Sequence, residues 1–256
     1  MNKEIYDISQ VDYTSRVTIT NPLDQEACAR IKRATNARVC VGRCGTSLRT
    51  ETYLRYLSDH AAAMDAVWKH VDEKTIDQLG CIKVQTLAKN KAEYIKRPDL
   101  GRRFSEETAA FIKEKCRHDI DVQIIIGDGL SAYAIEHNVP DTYQILEDGL
   151  KSAGYIMGTP IFVKYARVAT MDKISEYLNA MLSIIFIGER PGLITNESMS
   201  IYMAYQASSD KPEAQRNLIS NIYKNGIPPI EAGAQAVQLA ELIYKNKKSG
   251  IDLKMK

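Results

Sequence analysis

Val122-Gln123-Ile124-Ile125-Ile126-Gly127-Asp128-Gly129-Leu130-Ser131 is the stretch that decides the fold. Its first five residues form a short apolar, β-branched run, the composition of a strand buried on both faces. The glycine-bearing segment after it reads as a loop leading into a helix. Two more runs of this kind follow, Ile161 to Val163 and Leu182 to Ile187. Between the first and second, Tyr143, Leu146, Leu150 and Ala153 recur at helical spacing, with Gly154 placed as a stop. Between the second and third, Met171, Ile174 and Leu178 mark a shorter helix. Apolar strands separated by helices predict a parallel sheet covered on both faces. Ile201 to Tyr205 adds a strand, and Ala232, Ala236, Leu239 and Ile243 form one face of a last helix before Gly250.

Upstream the rhythm is helical. Leu23, Ala27, Ile31 and Ala34 fall on one helix face after Asn21-Pro22, and Leu54, Leu57, Ala61, Met64 and Trp68 mark a longer helix. Ile82-Lys83-Val84 alternates like a short strand, and Ser105 before Glu106 and Glu107 reads as an N-cap. The expectation is an α/β protein, with a mainly helical part over residues 1–117 and an α/β domain over 118–256. No internal repeat or low-complexity linker interrupts it.

Composition narrows the function classes. The 256 residues carry 34 Lys and Arg against 32 Asp and Glu, a balance of +2 that selects neither nucleic acid nor membrane. The hydrophobic share of 45% is that of a folded soluble chain. Cys28, Cys40, Cys44, Cys81 and Cys116 are odd in number and scattered, which points to free thiols in a reducing cytosol. Cys40 and Cys44 lack a second pair for zinc and read as small buried apolar residues. His60, His70, His118 and His137 show no metal-ligand spacing. The N-terminal MNKEIYDISQVDY has no apolar core of a secretory signal. A cytoplasmic location is expected.

Ligands of open parallel sheets bind at the carboxyl ends of the strands. Three loops take that position: Gly127 to Ser131, Lys164-Tyr165-Ala166-Arg167-Val168, and Gly188-Glu189-Arg190-Pro191-Gly192. They are candidates for one shared site, against the plainer reading that their glycines only make tight turns. Gly127, Gly129 and Ala132 also satisfy the loose pattern G-x-G-x-x-G/A, which keeps a stand-alone nucleotide-binding module or dehydrogenase as an alternative. Its ribose-binding acid is missing, because the next strand ends in Lys164-Tyr165 and Glu147 and Asp148 fall inside the intervening helix. The basic stretch Lys96 to Arg103 holds one acid and no interleaved aromatic residue, which favours salt bridges or a protein interface over phosphate.

Four ordered segments go further than residue chemistry. They are Ala37 to Arg43 with Asp59-His60, Arg97-Pro98-Asp99-Leu100-Gly101-Arg102-Arg103, Asp121-Val122-Gln123 leading into Gly127 to Ser131, and Ile187 to Leu193 with Ile219-Ser220-Asn221-Ile222. From about residue 20 onward the chain resembles the small (light) subunits of ethanolamine ammonia-lyase. The resemblance implies a lyase that converts ethanolamine to acetaldehyde and ammonia by adenosylcobalamin-dependent radical chemistry. It implies a Rossmann-like domain after the helical part, and a hetero-oligomer in which the large subunit, a (β/α)8 barrel, houses the chemistry. This chain would contribute no catalytic residue or metal ligand of its own. By position, the family's cobalamin contacts fall on Val168, Glu189 and Leu218. The third is usually a cysteine in R-x-C-I-S-N, whereas this chain reads Arg216-Asn217-Leu218-Ile219-Ser220-Asn221.

A D-x-H-x-x-G motif is absent from the sequence, so the resemblance implies cobalamin held with its own benzimidazole still on cobalt. About 20 residues precede the first matched helix, shorter than the extension of family members bound for a bacterial microcompartment. Encapsulation would then come through partners. A third reading is a purely structural subunit that stabilises a large partner without touching the cofactor.

Overall fold

The computed structural model describes residues 11–13 and 15–254, and most of MNKEIYDISQVDY lies outside them. Contacts divide the chain into two units: residues up to Asp65 with Gly192–Asn196, and Ala66–Pro191 with Glu197–Lys256.

In the first unit, α1 (Gln25–Arg33) starts where the Asp24 carboxylate accepts a hydrogen bond from the Ala27 N–H at 2.7 Å. A two-stranded hairpin, β1 (Arg43–Cys44) and β2 (Ser47–Leu48), leads to α2 (Thr50–Trp68), which runs on past the unit's boundary. The Ala37–Arg43 segment and Asp59 meet here. Asp59 takes Arg38 Nη2 at 2.6 Å on one oxygen and Arg55 Nε at 2.8 Å on the other. Arg38 Nη2 also donates to the Leu193 carbonyl at 2.7 Å.

The second unit contains α3 (Glu73–Gln78), β3 (Ile82–Gln85), α4 (Lys91–Lys96), α5 (Glu106–Lys115), β4 (Val122–Asp128), α6 (Ala132–Ser152), β5 (Ile161–Lys164), α7 (Thr170–Leu178), β6 (Leu182–Gly188), β7 (Met199–Tyr205), β8 (Asn217–Ile222) and α8 (Pro229–Asn246). Ser105 caps α5 as its position suggests, accepting from the Thr108 N–H at 3.1 Å. The strands form one sheet in the order β3-β5-β4-β6-β7-β8. β3, β5, β4 and β6 are parallel, while β7 and β8 return antiparallel. The sheet is therefore mixed, where apolar runs alone predict a parallel one. β8 escapes a search for such runs because Asn217, Ser220 and Asn221 break its pattern and its outer edge is exposed.

Both faces of the sheet are covered. Val122, Ile124, Ile126, Ile184 and Phe186 pack with α6 and α8, while Ile125, Ile185, Ile161 and Val163 pack with α5 and α7. Alternate residues of each strand thus feed opposite cores. Periodicity places the change from helical to α/β rhythm at 117–118. Contacts draw their own division after Asp65, because β3 joins the sheet beside β5 and brings α4 and α5 with it.

The helical apolar faces are partly uncovered, and one reading of burial, that of Cys40 and Cys44, needs correction. Leu54, Leu57, Met64 and Trp68 stay 48%, 43%, 46% and 49% exposed on α2, and Leu23 and Ile31 are exposed as well. A helical period shows that one face is apolar, not what covers it. All five cysteines are free thiols, but Cys44 is exposed on the hairpin and Cys40 only partly buried, so the two are not a buried apolar pair. Among the described residues no helix is long and apolar enough to cross a membrane.

Burial pushes the Cys81 thiol up to about 12 and the Cys116 thiol up to about 11, which leaves little thiolate near neutral pH. Alkylation with iodoacetamide at pH 8, followed by peptide mass spectrometry, should modify Cys44 well before Cys81 or Cys116. The reverse order would contradict this packing. A buried ion pair, Arg216 Nη2 to Asp172 Oδ2 at 2.6 Å, ties the start of β8 to α7. Removing one partner, as in Arg216→Met, should lower stability by about 3–5 kcal/mol, whereas an apolar pair at both positions should cost far less. Burial, opposed by Arg216, holds the Asp172 carboxyl up at about 6. The folded chain then keeps a proton that the unfolded chain releases between roughly pH 4 and 6. The stability due to Asp172 is full below that window and lost as pH rises through it. Urea midpoints measured across the window should show this slope in the wild type and not in Asp172→Asn.

Candidate functional site

The loops at the carboxyl ends of β4, β5 and β6 come together. They enclose a cavity of about 150 Å³ lined by Tyr94, Leu130, Arg167, Val168, Ile187, Gly188, Glu189, Ser200 and Tyr202. Each of the three loops singled out in the sequence contributes to it. α4 adds Tyr94, and β7 adds Ser200 and Tyr202.

The topology accounts for the crevice. β4 leads through α6 to β5 on one side, and β5 leads through α7 to β6 on the other side of β4. Successive helices therefore cover opposite faces, and the strand ends between them stay open. The glycines of these loops do more than turn the chain. A Cβ on Gly188 would lie 2.3 Å from the Ser131 carbonyl oxygen, and one on Gly129 would lie 2.7 Å from Ile187 Cγ1. Loops from neighbouring strands touch there, and only glycine allows it. This weakens the dinucleotide reading, because the space beside Gly129 is filled by β6 rather than left for a pyrophosphate. The N-terminus of α6 is also engaged by its own cap, with Ser131 Oγ accepting from the Ala134 N–H at 3.1 Å.

Beneath the first loop lies a buried charge pair. Lys91 Nζ stands 3.4 Å from Asp128 Oδ1 and donates to the Gly129 carbonyl at 3.0 Å. His70 Nδ1 is 3.7 Å from the other Asp128 oxygen. Burial raises the Asp128 carboxyl against the opposing pull of Lys91 and His70, and burial lowers Lys91 against the pull of Asp128. The lysine thus bridges a carboxylate and a carbonyl, which pins the Gly127–Ser131 loop in place.

The second loop leaves β5 through Tyr165, a buried non-glycine residue at φ +60°. The Ala166 N–H then donates to the Asp128 carbonyl, and the Arg167 N–H to the Gly101 carbonyl, both at 2.9 Å. Gly101 belongs to the basic Arg97–Arg103 stretch, so part of that stretch serves as an internal brace for the cavity wall. Its charges are partly paired at the surface, with Arg97 Nη2 to Asp99 Oδ2 at 2.8 Å. The Arg167 guanidinium sits over the Tyr94 ring, its Cζ 4.3 Å from the ring centroid, and Nη2 donates to the Tyr94 carbonyl at 3.2 Å.

Glu189, at the end of β6, is held by its own neighbours. Ser200 Oγ donates to Oε1 at 2.5 Å, Ser198 Oγ to Oε2 at 2.8 Å, and the Asn221 N–H to Oε1 at 3.1 Å. Two carboxylate oxygens offer about four acceptor positions, so one on Oε2 is left for a ligand. A break in the β7–β8 register between Met199 and Ile201, with Asn221 at φ +62°, turns that N–H toward the carboxylate. Asparagine is one of the few side chains that tolerate such a backbone. Leu218 does not line the cavity itself. It pairs in register with Tyr202, which does, and so shares its face while remaining 48% exposed.

The three positions named from sequence therefore gather at one cavity: Val168 and Glu189 in its wall, Leu218 beside it. Asp128 lies in the first of the loops singled out, whereas Lys91, Tyr94, Ser200 and Tyr202 were not named as site residues. Lys91 and Tyr94 sit on a short helix far away in sequence, and Ser200 and Tyr202 are joined to the site only by strand pairing.

Residues 25–254 match the family model described as ethanolamine ammonia-lyase light chain. An ethanolamine ammonia-lyase small subunit from Clostridium acetobutylicum is 59% identical over 233 residues, spanning 91% of this chain and 96% of its own length. Small subunits from Clostridium perfringens and Listeria monocytogenes are 47% and 42% identical over 250 residues, each spanning 98% of this chain and 85% of their own. On this similarity, the chain belongs to the ethanolamine ammonia-lyase small-subunit (light-chain) family, a family of lyase subunits.

Proposed function

We propose that the cavity at the carboxyl ends of β4, β5 and β6 holds one edge of adenosylcobalamin. The catalytic large subunit would cover the rest in an assembly that converts ethanolamine to acetaldehyde and ammonia. The observation that carries this reading is that Val168 and Glu189, from different loops, share one cavity wall, with Leu218 paired in register to Tyr202 of that same wall. Size supports it too. About 150 Å³ accepts a peripheral side group of a corrinoid and not the macrocycle, so the greater part must lie against another surface. The apolar stripe Leu54, Leu57, Met64 and Trp68 is of the kind a partner covers. Three parallel strands, β4, β5 and β6, with α6 and α7 on opposite faces support a Rossmann-like reading of residues 118–256 as the cobalamin-binding domain, with β3 and Tyr94 added from the preceding part.

Fit can be judged from the donor set. An amide-rich edge needs acceptors and donors in a mostly apolar lining. Glu189 offers one free acceptor position, Arg167 Nε is a buried donor without a partner among the described residues, and Val168, Leu130 and Ile187 supply the apolar wall. The residues fit. When bound, adenosylcobalamin would supply radical chemistry through homolysis of its cobalt–carbon bond. This chain's part is to orient and to exclude water. Glu189 would accept a hydrogen bond on Oε2, Val168 would press against the edge, and Leu218 would contribute main-chain atoms where a thiol usually stands. The cytoplasm, or a microcompartment reached through partners, is the place where such an assembly would work.

Co-expression with a family large subunit should yield adenosylcobalamin-dependent ethanolamine deamination that is lost when this chain is omitted. Undiminished activity of the large subunit alone would refute the reading. The cob(II)alamin form should show superhyperfine coupling from the cofactor's own benzimidazole nitrogen, and coupling to a protein histidine instead would refute the base-on proposal. Glu189→Gln, which keeps the size of the side chain, should weaken cobalamin binding by roughly tenfold with assembly intact. Unchanged affinity would favour a purely structural subunit.

A further inference from the structure

We propose that Arg167 is an additional cofactor-holding residue, and that its guanidinium pairs with the phosphodiester of the cofactor's nucleotide loop. The proposal rests on the reading of the cavity given above.

Three cations are sunk near the carboxyl ends of the strands or against the sheet. Lys91 is paired with Asp128 and Arg216 with Asp172. Arg167 lines the cavity and has no carboxylate within ion-pair distance among the described residues. Glu189 lines the same cavity but, among the described residues, forms no ion pair with Arg167; its carboxylate is held by Ser198, Ser200 and Asn221. Arg167 is nevertheless fixed rather than loose. Its guanidinium lies over Tyr94, Nη2 is spent on the Tyr94 carbonyl, and its backbone N–H is spent on Gly101.

What remains is a positioned cation whose Nε is buried without an acceptor. Leaving a polar group in that state is costly, and a charge more so. A planar guanidinium matches tetrahedral anionic oxygens better than it matches single neutral carbonyls. The side groups of a corrin ring are neutral amides, and the phosphodiester of the nucleotide loop is the anion among the groups presented.

The test is titration of adenosylcobalamin into the assembled two-subunit enzyme, followed by its visible spectrum at several KCl concentrations. Wild type, Arg167→Lys, Arg167→Met and Glu189→Gln are compared. Charge pairing predicts that Arg167→Met weakens binding on the order of 10- to 100-fold and flattens the salt dependence, while Arg167→Lys recovers most of the affinity. Equal losses in the Lys and Met variants with an unchanged salt slope would mean a neutral acceptor or a purely structural arginine, and would overturn the proposal. Full affinity in Arg167→Met alongside a loss in Glu189→Gln would overturn it while leaving the cavity as the cofactor site. No effect of any variant would remove both.

Discussion

Two strands, β4 and β6, are buried along their whole length on both faces, and the rest of the second unit follows from that constraint. Neither can lie at an open edge or face water, because burying apolar surface on both sides is the main favourable term available to them. Helices must therefore cover each face, α6 and α8 on one and α5 and α7 on the other. Chain connections that supply helices to opposite faces from neighbouring strands leave a crevice at the strand ends. The cavity is a by-product of covering the two strands.

Keeping that crevice in one shape falls to polar groups. Lys91 bridges Asp128 and the Gly129 carbonyl under the first loop, Gly101 and Tyr94 support the second, and Ser198, Ser200 and Asn221 hold Glu189 at the third. Most of these groups are satisfied within the chain, so the site is formed before any ligand arrives. Arg167 Nε is the departure from that rule in the cavity wall. A site that is largely preformed, shallow and confined to one edge suits a subunit that shares its ligand with a partner.

Much of this was legible in the chain. The apolar runs of β4, β5 and β6 predicted their strands, helical spacing predicted α6, α7 and α8, and Ser105 announced the start of α5. The three strand-end loops were recognisable as one possible site because strand and helix alternate. The return hairpin was less so. β7 was visible, but β8 alternates polar and apolar residues and carries a left-handed Asn221, features that look like a loop when read singly. The uncovered face of α2 was visible as an apolar stripe, and its exposure was not.

By itself, then, the sequence determined the strands β3 to β7 and the helices α1, α2 and α5 to α8, and which loops stand at the ends of the strands. It also determined the family. Local patterns suffice for these because hydrophobic period and turn chemistry act over a few residues. Only the tertiary structure decided that Tyr94, Arg167, Glu189 and Ser200 share one cavity, that Glu189 is largely engaged by its own chain, and that Arg167 forms no ion pair among the described residues. Those facts depend on strand order and on contacts between residues many positions apart, and no local period records which distant group fills a given space.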